Sequence, residues 1–220
     1  MNKANFLFAV FLIFVGVIGR FILIHSVVIP NFEIITALTL VSAVFLGRAW
    51  GVVVPLSIIA ITDVVIGNSP VLIFTWSAFA IIGIFGWISR RVILSGAQQG
   101  GVEESRTNVR FSRIRGRFLS ASRRIGMTII KMTGFGIFSS IFFFLYTNFG
   151  WWLMTNMYPH TLDGLIQCYI MGLPFFKNNL IGNLIFVPMF SGAAMYAIAL
   201  KSKIKISAFR GSVEGGKSYN

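Results

Sequence analysis

The 220-residue sequence has one cysteine, Cys168, two histidines and few charged residues, which make up 11% of the chain. A single cysteine excludes an internal disulfide framework, and no Cys/His cluster has the spacing of a zinc site. We therefore expect no metal and no cofactor. The sequence also lacks a Gly-x-Ser-x-Gly motif, a His-Glu-x-x-His motif and a Walker-type phosphate loop, so we do not expect an enzyme. Any ATP-driven activity would need a partner protein.

Apolar residues are abundant instead. They make up 56% of the sequence, and the mean hydropathy is +0.82. A soluble domain of this composition would expose too much apolar surface to water, which places the chain in the lipid bilayer. The net charge of +13 would favour nucleic acid only if the basic residues covered a folded soluble surface. Here they flank apolar runs, so we expect no nucleic-acid partner.

Six apolar runs separated by polar or turn-forming residues predict an all-α membrane protein with about six transmembrane helices. The second run is rich in threonine, and the third contains Pro55 and Asp63. Neither span looks like a purely lipid-facing helix, and we expect both to face other helices. The predicted spans are 5–24, 32–46, 50–66, 71–88, 125–145 and 180–200.

The distribution of basic residues predicts the orientation, because positively charged loops are retained in the cytoplasm. With a cytoplasmic N-terminus, all 19 Lys and Arg residues except Arg20 and Lys177 fall in or beside predicted inside segments. Both termini are then cytoplasmic. The predicted organisation is helices 1–4 in residues 1–88, a basic cytoplasmic linker at 89–124, helices 5 and 6 in 125–200, and a basic cytoplasmic tail at 201–220.

The linker and the outer connection each leave a question open. The arginine-rich stretch 110–124 suits either a segment lying on the anionic inner leaflet or a solvated loop that only fixes topology. The outer segment 147–178 is apolar and aromatic but interrupted by proline and glycine, which predicts an interfacial or re-entrant cap. Thr161 is expected to cap a short helix that ends near Gly172 and Pro174.

Arg20, Glu33 and Asp63 lie at the outer ends of the first three predicted spans. A charged side chain at the bilayer centre costs about 2.5–3.5 kcal/mol or more, so Arg20 is expected to pair with Glu33 or Asp63. Two interpretations stay open. The three residues form an ion pair that only fixes helix packing, or they belong to a ligand pocket, because other polar groups converge on the same side.

The candidate substrate-binding residues include seven further side chains beside the spans. Asparagines at membrane depth are costly unless they are satisfied, and several at one level can line a site for a small polar molecule. Loop asparagines can equally face water, and interfacial aromatic residues can equally belong to the membrane belt. The seven are Asn31, Thr36, Asn148, Trp151, Tyr158, Asn179 and Asn183.

Two stretches carry a resemblance to a known family. The first is Pro30-Asn31-Phe32-Glu33 with Thr36-Ala37, and the second is TNFGWW at 147–152 with YP-x-T, GL-x-x-CY and LPFFKN between 158 and 178. The sequence resembles an uncharacterised family of bacterial membrane transport proteins related to the S components of energy-coupling factor (ECF) transporters. The resemblance runs from Arg20 to about Phe190.

The resemblance implies an S-component-like six-helix bundle in the prokaryotic inner membrane, with a pocket that opens outward. It implies a chain that captures a small-molecule substrate, while a transmembrane coupling subunit and ATPases power uptake. The sequence departs from that pattern in two places. Gly16 and Gly19 stand on the first helix instead of small residues spaced by four, and Asn183 occupies an acidic position of the family.

The leading hypothesis is an integral membrane substrate-binding subunit, similar to an S component, for uptake of a small polar or aromatic nutrient such as a vitamin or its precursor. One alternative is a non-transporting membrane scaffold subunit of an envelope complex, whose cavity would be filled by side chains. The other is an intramembrane enzyme that would use Asp63 with His25 or His160.

Overall fold

The computed structural model describes residues 3–26, 31–67, 70–95 and 111–215, and within these ranges the chain forms helices and short connections without a β-strand. The second helix continues into a π-helical segment, Ser42–Leu46. The helices are α1 (Lys3–Ser26), α2 (Ile35–Val41), α3 (Arg48–Ile66), α4 (Leu72–Ile88), α5 (Arg90–Ser95), α6 (Phe111–Met154) and α7 (Leu162–Gly215).

Four of these helices contain stretches long and apolar enough to cross a membrane: Lys3–His25, Arg48–Ile66, Ile125–Met154 and Leu162–Leu200. Two shorter apolar helices, Ile35–Leu46 and Leu72–Ile88, accompany them. Large apolar side chains such as Leu7, Phe14 and Val64 are exposed on the protein surface, where water would disfavour them and lipid would not. The chain is therefore an all-α, multi-pass membrane protein, as its composition predicts.

The helix α2 lies in the middle of the bundle. Every residue of 35–44 is buried, and α1, α3, α4, α6 and α7 all pack against it. Two buried hydroxyl groups here donate to backbone carbonyls: Thr39 Oγ1 to the Ile35 carbonyl at 2.7 Å, and Ser42 Oγ of the π-helical segment to the Thr39 carbonyl at 2.9 Å. The prediction that the second span faces other helices is confirmed.

Small residues allow α3 and α4 to approach closely. A Cβ atom on Gly83 would collide with the backbone carbonyl of Gly51, and one on Gly51 would lie 2.7 Å from the Cβ atom of Ala43. Close backbone approach through small residues is how helices pack in membranes, where lipid removes most of the hydrophobic driving force for association. Pro55 and Asp63 are buried on α3, so this face of α3 packs against other helices, while Val64 on the same helix is exposed.

The helices α6 and α7 form the most extensive pair, and here the structure differs from the sequence prediction. Helix α7 runs unbroken from Leu162 through Pro174 and Pro188, so the expected helix end near Gly172 and Pro174 is wrong. A membrane helix tolerates proline because neighbouring groups satisfy the freed backbone. The prediction that Thr161 caps the start of a helix is confirmed, since Thr161 Oγ1 accepts a hydrogen bond from the Gly164 amide at 3.2 Å.

The predicted basic linker and the predicted C-terminal tail are also partly helical. Helix α5 lies within the predicted linker, α6 already begins at Phe111, and α7 continues to Gly215. Residues 96–110 and 216–220 lie outside the described residues. The two interpretations of the arginine-rich stretch 110–124 stay open, because they depend on side chains that lie, apart from Arg123, outside the described part of the chain.

Replacing Gly83 should test the contact between α3 and α4. We expect Gly83→Ala to lower the free energy of unfolding by about 1–3 kcal/mol, because the added methyl group meets backbone that cannot rotate away. Gly134→Ala on α6 is the matched control, since a Cβ atom there meets nothing within 4 Å. Unfolding in detergent, followed by circular dichroism, measures both. Equal midpoints for the two variants would contradict the close approach.

Candidate functional site

A cavity of about 550 Å³ opens beside α6 and α7, and its volume falls within the roughly 300–1,000 Å³ of small-molecule sites. We call it the α6–α7 cavity. The start of α4 and the connection 155–161 complete its wall. Its lining residues are Asn31, Val71, Thr75, Phe143, Thr147, Asn148, Trp151, Met157, Tyr158, Cys168, Met171, Gly172 and Phe175.

The polar groups among these lining residues are amides, hydroxyls and the Cys168 thiol, and none of the described residues in the wall carries a charge. Asn148 Nδ2 donates to the Phe144 carbonyl at 2.8 Å, which orients the amide and leaves Oδ1 as an acceptor. Gly172 faces that oxygen, and a Cβ atom at this position would lie 2.5 Å from it. The missing side chain therefore lets the Asn148 amide lie directly against the α7 backbone.

The wall helices contribute residues at helical spacing. On α7 the lining positions are 168, 171, 172 and 175, and on α6 they are 143, 147, 148 and 151. This spacing of three and four is the signature of one helix face. Sequence reasoning missed Thr75 on α4 and Phe143 on α6. It missed Met171 and Phe175 because the break expected near Gly172 and Pro174 hid the periodicity of α7.

Four of the ten predicted site residues line the cavity: Asn31, Asn148, Trp151 and Tyr158. Asn31 adopts a left-handed backbone conformation with φ of 60°, which asparagine tolerates better than most residues. The other six do not line it. They lie in two hydrogen-bonded networks inside the bundle, one around Arg20 and Asp63 and one around Glu33, Thr36, Asn179 and Asn183.

The first network joins α1, α3 and α4. Arg20 Nη1 lies 2.8 Å from Asp63 Oδ1 and also donates to Thr62 Oγ1. The second carboxylate oxygen, Oδ2, accepts a hydrogen bond from Trp76 Nε1 at 3.1 Å. The predicted pairing of Arg20 with an acidic side chain is confirmed, with Asp63 and not Glu33 as the partner.

Glu33 sits at the N-terminus of α2 and caps it. Its Oε2 accepts hydrogen bonds from the amides of Ile35 at 2.5 Å and Thr36 at 3.2 Å, and its Oε1 accepts from Thr36 Oγ1 at 2.6 Å. A carboxylate is favoured here because the first-turn amides lack helix partners and the helix dipole is positive at this end. Asn179 Nδ2 on α7 also donates to Oε1 at 3.3 Å.

Asn183 extends this network into the centre of the bundle. Its Nδ2 donates to Ser140 Oγ at 2.7 Å and to Asn179 Oδ1 at 3.3 Å. Asn183 is 1% exposed, and its Oδ1 atom has no hydrogen-bond partner in the part of the chain that the structure describes. Glu33, Asn179, Asn183 and Ser140 thus form one chain of polar contacts, which we call the polar row.

The model of a family of unknown function, DUF6580, matches residues 1–206. No curated protein and no solved structure matches.

The ion pair between Arg20 and Asp63 generates a stability prediction. Their side chains are 21% and 10% exposed, and removing one partner of a largely buried pair leaves the other charge uncompensated. We expect Arg20→Met to lower the free energy of unfolding by about 3 kcal/mol, and Arg20→Met with Asp63→Leu to recover most of that loss.

Chemical denaturation in detergent measures these variants, with Lys177→Met as a control because Lys177 is exposed and has no ion-pair partner among the described residues. If the double variant is as unstable as Arg20→Met, the loss does not come from an unpaired Asp63 charge.

Proposed function

The chain belongs to the DUF6580 family, whose function is unknown, and we propose that it is a membrane subunit that binds a small, uncharged, largely aromatic molecule for uptake. The observation that carries this proposal is the α6–α7 cavity, which is open, of ligand size and lined by aromatic rings and neutral polar groups. This ligand class is narrower than the small polar or aromatic nutrient expected from the sequence, because it excludes charged molecules.

The charge of the ligand follows from the charges around the cavity. Arg20 and Asp63 neutralise each other, and Glu33 is occupied by the first turn of α2. A charged ligand in the cavity would therefore lose its water without meeting an opposite charge, which is costly. An uncharged molecule does not incur this cost.

The aromatic side chains of the cavity wall indicate the shape of the ligand. Trp151, Tyr158 and Phe175 line the cavity, and within the described ranges none of them stacks on another aromatic side chain. Aromatic rings in a cavity wall can pack against a planar molecule. Asn148 Oδ1 offers an acceptor beside them, which suits a ligand with a hydrogen-bonding edge.

The scaffold alternative has less support, because it expects a cavity filled by side chains. An intramembrane enzyme also has less support. Asp63 is engaged by Arg20 and Trp76, and His160 Nε2 is engaged by the backbone carbonyls of Trp152 and Thr155. The proposed role is therefore binding and transport rather than catalysis.

The proposed membrane arrangement has six spans, with both termini in the cytoplasm of a prokaryotic cell and the protein in its inner membrane. The four long and two shorter apolar helices supply six segments, and the basic residues favour this orientation. Because the sequence contains no phosphate-binding loop, ATP-driven uptake would require a transmembrane coupling subunit and ATPases as partners.

Topology can be tested with single cysteines in a Cys168→Ser background. A membrane-impermeant maleimide applied to intact cells should label Asn156→Cys in the connection 155–161, which the proposal places outside. It should label Ser105→Cys in the basic linker only after the membrane is permeabilised. Labelling of Ser105→Cys in intact cells would refute the proposed orientation.

Ligand binding can be tested by native mass spectrometry of the purified chain and by thermal shift with a pair of probes. Nicotinamide and nicotinate have nearly the same size and differ in charge. We expect neutral heteroaromatic molecules of this kind to raise the unfolding midpoint more than their anionic counterparts, because the described wall of the cavity contains no cationic side chain to pair with a carboxylate.

Trp151→Ala should weaken binding of the retained or stabilising molecule about tenfold, since a lost ring contact costs about 0.5–1.5 kcal/mol in addition to the buried area. Phe14→Ala removes an aromatic side chain from the exposed face of α1 and should leave binding unchanged. If both variants bind equally well, the cavity is not the binding site.

A further inference from the structure

The helices around α2 form a ring that is open on one side. Helix α1 packs against α3, α3 against α4, α4 against α6, and α6 against α7. Between α1 and α7, no two Cα atoms of the described residues lie within 8 Å of each other. Each of these two helices contacts α2, but they do not close the ring by contacting each other. We call this gap the α1–α7 seam.

A groove of about 160 Å³ lies in the α1–α7 seam. Helices α1 and α7 supply two of its sides, which include Phe8 and Ala197, and the π-helical segment supplies Phe45. Asn5 is the polar residue among the described residues that line the groove, and the others are apolar. Ile198 in the wall is 49% exposed, so the groove opens towards the surroundings of the bundle.

The size of the groove restricts what can occupy it. Its volume is below the roughly 300–1,000 Å³ of sites that enclose a small molecule. A transmembrane helix is about 10–12 Å across with its side chains and cannot enter a space of this volume. A narrow apolar chain can enter, with the rest of its molecule outside the groove. The acyl chains of the bilayer have this shape and chemistry, and they gain van der Waals contacts in such a groove.

The groove lies at one particular end of the bundle. The ring of Phe6 on α1 lies 6.2 Å from that of Trp50 near the start of α3, and the Arg48 guanidinium lies 5.7 Å from the ring of Trp87 near the end of α4. Lys131 on α6 donates to a backbone carbonyl of α5 at 2.8 Å. The starts of α1 and α3, the end of α4, α5 and this part of α6 therefore meet at one end, which we call the basic end.

Charge is distributed unequally between the two ends. The described acidic side chains lie away from the basic end, with Glu33 before the start of α2, Asp63 near the end of α3 and Asp163 at the start of α7. Lys3 directly precedes the groove residue Ala4 on α1. A basic region between transmembrane helices attracts the headgroups of anionic lipids. The described basic residues of this end are Lys3, Arg48, Arg90, Arg91, Arg123 and Lys131.

We propose that the groove binds an anionic phospholipid, with one acyl chain between α1 and α7 and the phosphate group beside Lys3 and Asn5. An ammonium group and an amide are donors that suit phosphate oxygens. A zwitterionic lipid would also bring a cation to the basic end, where it would be repelled. The acyl chain fills the seam that the protein leaves open, so the lipid holds α1 to α7.

This inference is independent of the proposed function. None of the residues that line the groove also lines the α6–α7 cavity. The lipid site therefore holds whether or not the cavity binds a ligand. The two sites share α7 as a wall, at opposite ends of its apolar part.

The experiment is thermal unfolding of the purified full chain in detergent, with phosphatidylglycerol or phosphatidylcholine of identical acyl chains added at equal concentration. Circular dichroism gives the midpoint. We expect phosphatidylglycerol to raise the midpoint by at least about 2 °C more than phosphatidylcholine, because a lipid that binds only the folded state stabilises it. Equal midpoints with the two lipids would overturn the proposal.

Two pairs of variants connect the effect to the groove. Ala197→Phe fills the groove and should abolish the difference between the lipids, whereas Ile130→Phe, at a position of α6 that is 72% exposed, should retain it. Lys3→Gln should reduce the difference, and Lys177→Gln, outside the basic end, should not. A full difference in Ala197→Phe would show that the lipid acts through surface charge alone, which contradicts a site in the seam.

Photochemical labelling tests the location without any change to the protein. Phosphatidylglycerol with a diazirine in its acyl chain should label segments 4–8 and 194–198, as mapped by mass spectrometry of peptides. Excess phosphatidylglycerol should compete with this labelling more strongly than phosphatidylcholine does. Labelling confined to other segments would overturn the proposal. Labelling of the seam in the purified chain but not in native membranes would show that a protein partner covers the seam there, and would also overturn it.

Discussion

The N-terminus of α2 is buried inside the bundle, and its first-turn amides have no helix partners and little access to water. Glu33 satisfies the amides of Ile35 and Thr36, and Asn179 connects Glu33 to α7. Gly182 lets the α7 backbone approach this point, since a Cβ atom there would lie 3.3 Å from the Glu33 carbonyl oxygen. The cap therefore fixes both the central helix and the position of α7, which forms one wall of the cavity.

Charged and uncharged polar residues lie in different parts of the structure. Arg20 and Asp63 hold α1, α3 and α4 together, and Glu33 holds α2 to α7. The cavity wall keeps neutral amides, hydroxyls and rings. This division has a physical reason in a bilayer. A charged side chain is tolerated where the protein supplies a partner for it, and an open cavity supplies no such partner before a ligand binds. The charged residues thus stabilise the bundle that supports the cavity, and the neutral ones form its surface.

Sequence patterns predicted the apolar spans, the interior position of α2, the buried face of α3, the pairing of Arg20 and the Thr161 cap, because hydropathy, charge cost and capping are local properties. They did not predict that α7 continues through Pro174, since neighbouring helices decide whether a membrane helix survives a proline. They also could not separate the cavity residue Asn148 from the row residue Asn183. Both are asparagines beside spans, and only the packing of α6 against α7 distinguishes them.

The native Cys168 offers the most direct measurement of whether a molecule enters the α6–α7 cavity, because it is the single cysteine of the chain and lines the cavity wall. The measurement is the rate at which iodoacetamide alkylates Cys168, with and without the small molecule that stabilises the protein. If the cavity is the binding site, the rate falls in proportion to the occupied fraction. A rate that does not change at saturation would contradict the account.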